Sequence, residues 1–230
     1  MATDVETSLS ATQTTAEVLA SYRGAVMMKI NSDGSGFKKC VGRNSMADIY
    51  LALIHAPVYN KNMETVATSI TNLDLHDIAR CATTYGIKRY FVVHPAEAQR
   101  QLAKRIMGFW QDGYGAEYNP DRQEAFARVK IAENLAQVYA EIEAEHGSAP
   151  IKVATDARKY ANTVTYAQLR EDIETKETPI LLLFGTGWGL LKEDVEQMDR
   201  ILEPIYGPTD YNHLSVRSAV AIILDRLRGH

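Results

Sequence analysis

The alternation of short apolar segments with longer helical segments, from residue 48 onward, most constrains how this chain can fold. The apolar segments have the length of buried strands. We predict strands at residues 49–55, 89–93, 151–155 and 180–184, and a short strand or extended piece at 201–204. Strands that alternate with helices form parallel sheets covered on both faces. The sequence therefore predicts an α/β fold with a parallel sheet flanked by helices on both faces.

The segments between these strands carry helical spacing of apolar residues, often with a turn or capping residue at one end. We predict helices at residues 72–85, 95–111, 165–176, 192–200 and 215–227. A loop rich in Gly, Tyr and Asn is predicted at 112–120, followed by a long charged helix that ends at Gly147. In parallel sheets, ligands bind beyond the carboxyl ends of the strands. We therefore expect the functional site in the loops that follow the strands.

Residues 1–45 differ in composition from the rest of the chain. Residues 1–15 are rich in Ser, Thr and Ala, and residues 31–36 (NSDGSG) have the composition of a flexible turn. We predict that residues 1–45 form a flexible N-terminal appendage, with one short helix near residues 16–22. Residues 46–230 are predicted to form the functional domain.

Composition excludes several classes of protein. The formal net charge is −4, which argues against a protein that coats nucleic acid indiscriminately. Cys40 and Cys81 are the only cysteines, and no metal-ligand spacing occurs, so we expect neither a disulfide framework nor a metal site. No apolar stretch has the length of a membrane span, and no signal peptide is evident. We expect a cytoplasmic protein without a membrane partner.

A glycine-rich motif, Gly185-Thr-Gly-Trp-Gly-Leu190, directly follows the predicted strand at 180–184. Closely spaced glycines at a strand end let a ligand approach the backbone. A dinucleotide fingerprint would need glycine at position 190, which is Leu, and no Gly-Lys-Ser/Thr of a phosphate-binding P-loop follows. Taken alone, the cluster also fits a tight strand-to-helix turn.

A second motif, at residues 211–224, places Asn, His, Ser and Arg before and within an apolar helix. Ser215 or Asn212 could simply cap that helix. Arg217 is unusual because it lies within an apolar stretch. A buried or half-buried arginine needs an anionic partner or a function.

A third motif, at residues 71–80, places charged side chains near the start of a predicted helix. Asp74 and Asp77 lie one turn apart, as do His76 and Arg80. A capped surface helix with salt bridges is the alternative interpretation. A carboxylate in such a motif could serve as a general base.

Together and in this order, the three motifs resemble those of the SPOUT methyltransferases over residues 48–228. The matching segments are residues 75–93 with Ile78-Ala-Arg80, then Gly185–Leu190, Glu203-Pro204-Ile205 and Leu214-Ser-Val-Arg217. Within the superfamily, the chain looks closest to uncharacterised relatives of the tRNA guanine-N1 methyltransferase catalytic domain. It departs from many members at Ser215, where they have Asn. It also lacks the Asn and Gly of the ribose-methylating branch, since Thr71, Leu73 and Asp74 occupy those places.

The resemblance implies a C-terminal trefoil knot that binds S-adenosylmethionine. It implies a methyltransferase that modifies a base ring nitrogen in tRNA or rRNA, and a homodimer. A non-catalytic RNA- or cofactor-binding protein that retains the fold is the main alternative. A nucleotide-binding hydrolase of the doubly wound type is a weaker one, since the glycine spacing is wrong for it.

The resemblance also implies roles for individual residues. Cofactor contacts are expected at Thr155, Gly185, Gly187, Glu203, Ile205, Leu214 and Ser215. The catalytic candidates are Asp77, Asp74, Arg80 and Arg217. Either aspartate could act as the base, and the two arginines could bind RNA phosphate or the cofactor carboxylate. The aromatic residues Trp110, Tyr114 and Tyr118 either pack beneath their loop or stack on a base.

Overall fold

The structure, a computed structural model, describes Met28–Ile30, Phe37–Lys39 and residues 46–229. The chain divides into two units, Met1–Asn44 and Ser45–His230. In the first unit, strands β1 (Met28–Ile30) and β2 (Phe37–Lys39) pair in antiparallel orientation. The helix predicted near residues 16–22 and the turn predicted at 31–36 lie outside the described residues. The flexible appendage therefore stays a prediction.

The second unit is built on a sheet of seven strands. These are β3 (Ile49–Ile54), β6 (Arg89–Val93), β7 (Val129–Ala132), β8 (Ile151–Ala154), β9 (Thr163–Val164), β10 (Ile180–Gly185) and β11 (Arg200–Leu202). Their spatial order is β7-β6-β3-β10-β8-β11-β9, and every neighbouring pair is parallel. A separate antiparallel hairpin, β4 (Val58–Tyr59) and β5 (Thr65–Val66), follows β3. The predicted parallel sheet is confirmed.

Eight helices lie within residues 46–229. They are α1 (Asn72–Thr84), α2 (Glu97–Gln111), α3 (Tyr114–Tyr118), α4 (Pro120–Phe126), α5 (Leu135–His146), α6 (Tyr166–Thr175), α7 (Lys192–Glu196) and α8 (Val216–Arg228). Thr165 and Gln168 cap α6 reciprocally, as the predicted capping box requires. None of the helices in this described part of the chain is long and apolar enough to cross a membrane.

The central strands are buried on both faces, which explains their continuous apolar sequences. All six residues of β3 are buried. Ile49, Leu51 and Leu53 belong to one apolar cluster, with side chains of α1, α2, α4, α6 and α8. Tyr50 and Ile54 belong to the other, with side chains of α5 and α7. Helices therefore flank the sheet on both faces, as predicted.

Two predicted helices are wrong in extent. The long charged helix predicted to end at Gly147 is instead α4, the edge strand β7 and α5. A short strand with the half-buried Lys130 inside it carries too weak an apolar pattern to be recognised. The C-cap is confirmed, because Gly147 ends α5 in the left-handed conformation at a φ of 71°. The predicted loop at 112–120 contains α3, and the helix predicted at 192–200 stops at Glu196 before β11.

The sheet order brings three strand ends together at the centre. Gly185 at the end of β10 pairs with Ile54 at the end of β3, and Leu183 pairs with Ala154 at the end of β8. From β3 the chain first adds β6 on one side, and it later inserts β10 on the other. Such a reversal of strand order leaves a crevice at the carboxyl ends, where ligands of α/β proteins bind.

Candidate functional site

A cavity of about 700 Å³ lies at this crevice. Its walls come from five parts of the chain: the stretch from Met63 to Asp74, the loop after β8, the loop after β10, the segment after β11, and the start of α8. Binding sites for small molecules commonly have volumes of roughly 300–1,000 Å³. The cavity is therefore large enough for a ligand of cofactor size.

The structure brings the seven predicted cofactor-binding residues to this one cavity. All of them line it: Thr155, Gly185, Gly187, Glu203, Ile205, Leu214 and Ser215. They come from four segments that are separated by up to 60 residues in the sequence (from 155 to 215), so the fold is what gathers them. Their contact with a cofactor stays a prediction.

The glycines of the loop after β10 are required by packing within the protein itself. A Cβ on Gly185 would lie 2.6 Å from the backbone nitrogen of Leu190, and one on Gly187 would lie 2.6 Å from the Tyr59 carbonyl oxygen. Gly187 and Gly189 also have positive φ angles, 60° and 95°. From the sequence, these glycines fitted either close approach of a ligand or a tight strand-to-helix turn. The structure adds a further reason, which is the close passage of the β4–β5 hairpin.

Backbone hydrogen bonds join the hairpin to the glycine loop. The Tyr59 carbonyl accepts from the Trp188 N–H at 2.8 Å, and the Tyr59 N–H donates to the Gly189 carbonyl at 3.0 Å. Within the loop, the Gly189 N–H donates to the Thr186 carbonyl at 3.0 Å. The loop is therefore held in one conformation on both sides of Trp188.

An ion pair that the sequence argument missed forms another wall of the cavity. The Asp156 side chain is only 3% exposed, and the Arg158 guanidinium donates to both of its carboxylate oxygens. Arg158 also donates to the Leu190 carbonyl at 2.5 Å and lies 5.2 Å from the centre of the Tyr59 ring. The two residues tie the loop after β8 to the glycine loop. Their position directly after a buried strand was the one signal that could have indicated them.

Three of the four predicted catalytic residues form one charged cluster. Arg217 on α8 lies with its Nε 3.3 Å from Asp74 Oδ1 and its Nη1 3.0 Å from Asp77 Oδ2. Of the two alternatives that the sequence left open for Arg217, an anionic partner or a function, the structure shows anionic partners. The cluster joins the starts of α1 and α8 at the mouth of the cavity.

The two aspartates differ in their surroundings. The Asp74 side chain is 12% exposed and lines the cavity, whereas the Asp77 side chain is 46% exposed and does not. Asp74 Oδ2 accepts a hydrogen bond of 2.6 Å from the Thr71 hydroxyl, which also caps α1. Of these two aspartates, Asp74 is therefore the one that can meet a ligand in the cavity.

Arg80 and His76 lie apart from the cavity. Arg80 is exposed on α1 and does not line it. The His76 ring packs edge-on against Trp110 and Phe126, at centroid distances of 5.1 and 4.7 Å. Burial, followed by the nearby Arg122, lowers the pKa of His76. His76 therefore belongs to the packing between α1, α2 and α4.

Two buried histidines lie behind the cavity, just after β3 and β6. His55 is fully buried, and its Nδ1 lies 3.1 Å from the Thr68 hydroxyl. His94 accepts from the Ala96 N–H at Nδ1, so its Nε2 donates to the Thr68 carbonyl at 3.1 Å. The Thr68 hydroxyl is also 2.5 Å from that of Thr186 in the glycine loop. Thr68 therefore links the ends of β3, β6 and β10.

The environment of His55 opposes its protonation. Burial, together with the neighbouring His94, lowers the pKa of His55 to about 4. The Nε2 atom of His55 is buried and has no hydrogen-bond partner among the described residues. Within residues 46–229 and the two short strands, no group of three potential ligands is placed to hold a metal ion.

A family model described as "SAM-dependent RNA methyltransferase" matches residues 48–229. The chain belongs to this family of RNA methyltransferases. An uncharacterized protein of Aquifex aeolicus is 46% identical over 180 residues, which cover 78% of this chain and 88% of that protein.

A tRNA (guanine-N(1)-)-methyltransferase of Oleidesulfovibrio alaskensis is 43% identical over 188 residues. The match covers 82% of this chain but only 43% of that enzyme. TrmJ from Z. mobilis has a similar fold, with a TM-score of 0.51 and 17% identity over 80% of this chain and 69% of TrmJ. The predicted resemblance to SPOUT methyltransferases is confirmed.

Replacing Gly187 tests the need for its backbone conformation. We expect Gly187→Ala to lower the free energy of unfolding by about 1–3 kcal/mol, because alanine is strained at positive φ and its Cβ meets the Tyr59 carbonyl. Gly207→Ala is the matched control, since a Cβ there meets nothing within 4 Å. Urea denaturation of the full chain measures both. Equal stability of the two variants would contradict the packing argument.

Acid should destabilise the protein through His55. Because the folded-state pKa is depressed from 6.5 to about 4, the stability is fully present above pH 6.5 and is lost as the pH falls towards 4. Between pH 7 and pH 5 we expect a loss of about 2 kcal/mol from this residue. Urea denaturation at both pH values should show a smaller loss for His55→Asn than for the wild type. The same loss in both proteins would refute the assignment.

Proposed function

We propose that this RNA methyltransferase transfers a methyl group from S-adenosylmethionine to a ring nitrogen of a base in tRNA or rRNA. The observation that carries the proposal is that Asp74 and the glycine loop line the same cavity. The guanine-N1 activity named for the Oleidesulfovibrio relative supports a ring nitrogen as the target. We further propose that the enzyme acts in the cytoplasm, since Cys81 is a free thiol and a reducing compartment suits it.

The cavity suits S-adenosylmethionine by its chemistry. Phe184, Ile205 and Val216 supply apolar surface that would hold the adenine ring. The glycine loop, at residues 185–190, supplies backbone donors and acceptors, and Glu203 supplies a carboxylate. The bound cofactor supplies an electrophilic methyl group on a positively charged sulfur. The protein then has to align an RNA nitrogen and exclude water.

We propose that Asp74 is the general base. Its carboxylate would accept the proton that the ring nitrogen loses when it is methylated. Arg217 holds this carboxylate at one oxygen and Thr71 holds it at the other, so its orientation is fixed before RNA binds. Arg80, exposed on the same helix, would bind an RNA phosphate.

We propose that the C-terminal segment forms a trefoil knot around this cavity. The strand order supports the proposal, because late strands insert between earlier ones. The strand β10 lies between β3 and β8, and β11 lies between β8 and β9. A knot would explain how segments from 155 to 215 meet at one site.

A methyl-transfer assay tests the proposed function. Labelled S-adenosylmethionine and total cellular RNA should give methylated RNA with the wild-type chain. Asp74→Asn should lower kcat by roughly 10²–10⁴-fold, the usual contribution of a general base, while the cofactor Kd stays within about threefold. Asp77→Asn is the matched control and should keep most of the activity. Cofactor and RNA binding without any methyl transfer would favour the non-catalytic alternative.

We propose that the enzyme is a homodimer. Exposed apolar side chains on α1 and α2, namely Leu73, Leu102 and Phe109, offer surface that a second copy could cover. Light scattering of the full chain should give twice the chain mass of 25.6 kDa. A mass of one chain at micromolar concentration would contradict the dimer.

A further inference from the structure

Trp188 occupies the tip of the glycine loop in an unusual environment. Trp188 is 54% exposed, although it lines the cavity. The flanking Gly187 and Gly189 have no side chains that could shield the indole. Within the described part of the chain, the indole makes no hydrogen bond and no contact with another aromatic ring or a cation. Tryptophan is strongly buried in most proteins, so this exposure calls for an explanation.

Trp110, the other tryptophan of the chain, shows the contrast. Its ring packs edge-on against His76 and Phe109, and the Arg122 guanidinium lies 4.5 Å from its centre. Those contacts account for Trp110 as a packing residue. Trp188 has a backbone fixed by hydrogen bonds and is half exposed beside the cavity, so it offers aromatic surface to a ligand there.

The segment that follows β11 adds further aromatic groups beside the cavity, and the loop after β8 adds a cation, Lys159. Tyr206 and Tyr211 are 53% and 72% exposed, and the Lys159 ammonium lies 5.5 Å from the centre of the Tyr206 ring. The Asn212 side chain donates to the Ala157 carbonyl and so joins this segment to the loop after β8. Exposed aromatic rings beside a cation are the combination that binds unpaired nucleotides.

We propose that Trp188 stacks on an unpaired nucleobase of the RNA at the mouth of the cavity. The site would then take nucleotides from a loop or bulge, because a base inside a duplex presents no free face to the indole. Lys159 would contact the phosphate of the stacked nucleotide or of its neighbour. This inference rests on the proposed function and names the class of RNA that the site accepts.

Fluorescence of Trp188 tests the proposal. A Trp110→Phe variant of the full chain leaves Trp188 as its single tryptophan. Titration with an RNA hairpin that has an unpaired guanine-containing loop should quench the fluorescence. A blunt, fully paired RNA duplex of equal length should not quench it at the same concentration. Equal quenching by both RNAs would overturn the proposal.

Affinity measurements on the otherwise unaltered chain provide the second arm. Trp188→Ala should raise the Kd for the hairpin by roughly 5- to 100-fold, the size of one base–aromatic stack, whereas Trp188→Phe should stay within about threefold. Met46→Ala is the control for loss of a large exposed side chain, since Met46 is 47% exposed but does not line the cavity. Unchanged hairpin affinity in Trp188→Ala would overturn the proposal. So would loss of S-adenosylmethionine binding in that variant, which would assign the indole to the cofactor.

Failure of the proposed function and failure of the stacking role of Trp188 give different results. If the wild-type chain binds no S-adenosylmethionine and methylates no RNA, the proposed function fails, whatever the fluorescence shows. If the wild type methylates RNA but shows neither the quenching nor the affinity loss, only the stacking role of Trp188 fails.

Discussion

The site depends on the insertion of β10 between β3 and β8. All residues of β10 up to Phe184 are buried, and the strand pairs in parallel register with both neighbours. This pairing is what aligns Gly185 with the end of β3 and sets the glycine loop beside Thr155. A shift of the register by one residue would move the glycine loop by about 3.3 Å along the strand, and so away from the end of β3 and from Thr155.

Because of this arrangement, the cavity is lined by two different kinds of surface, one of backbone and one of charged side chains. One wall is the glycine loop, fixed by backbone hydrogen bonds to Tyr59 and by the Arg158 guanidinium on the Leu190 carbonyl. Another wall is charged, with Asp74 oriented by Arg217. A rigid backbone surface suits the binding of a cofactor, and an oriented carboxylate suits the removal of a proton. Preorganisation of this kind lowers the reorganisation that accompanies the chemical step.

The sequence predicted the parts of the fold that have strong local signals. The run Ile180–Phe184 is apolar throughout, and the capping pair Thr165 and Gln168 marks the start of α6, so both elements could be located. The edge strand β7 was missed because its half-buried Lys130, which pairs with Glu141 as a surface residue would, interrupts the apolar pattern. The two-residue strands of the β4–β5 hairpin carry no periodicity at all.

Only part of the candidate site could be predicted from the sequence. Motif resemblance selected seven cofactor residues that line one cavity, yet it could not separate Asp74 from Asp77, which lie one turn apart on one helix. The distinction comes from exposure and from the position of α8, which are tertiary properties. The Asp156–Arg158 pair was missed for the same reason, since its role appears only when the loops after β8 and β10 meet.

A crystal structure of the full chain with S-adenosylhomocysteine, the product of methyl transfer, tests the central claim most directly. We predict ligand density in the cavity, in contact with the backbone of residues 185–190 and with Ile205. The sulfur of the ligand should lie on the side of Asp74. Ligand density elsewhere on the protein, or a cavity that stays empty at saturating ligand, would contradict it.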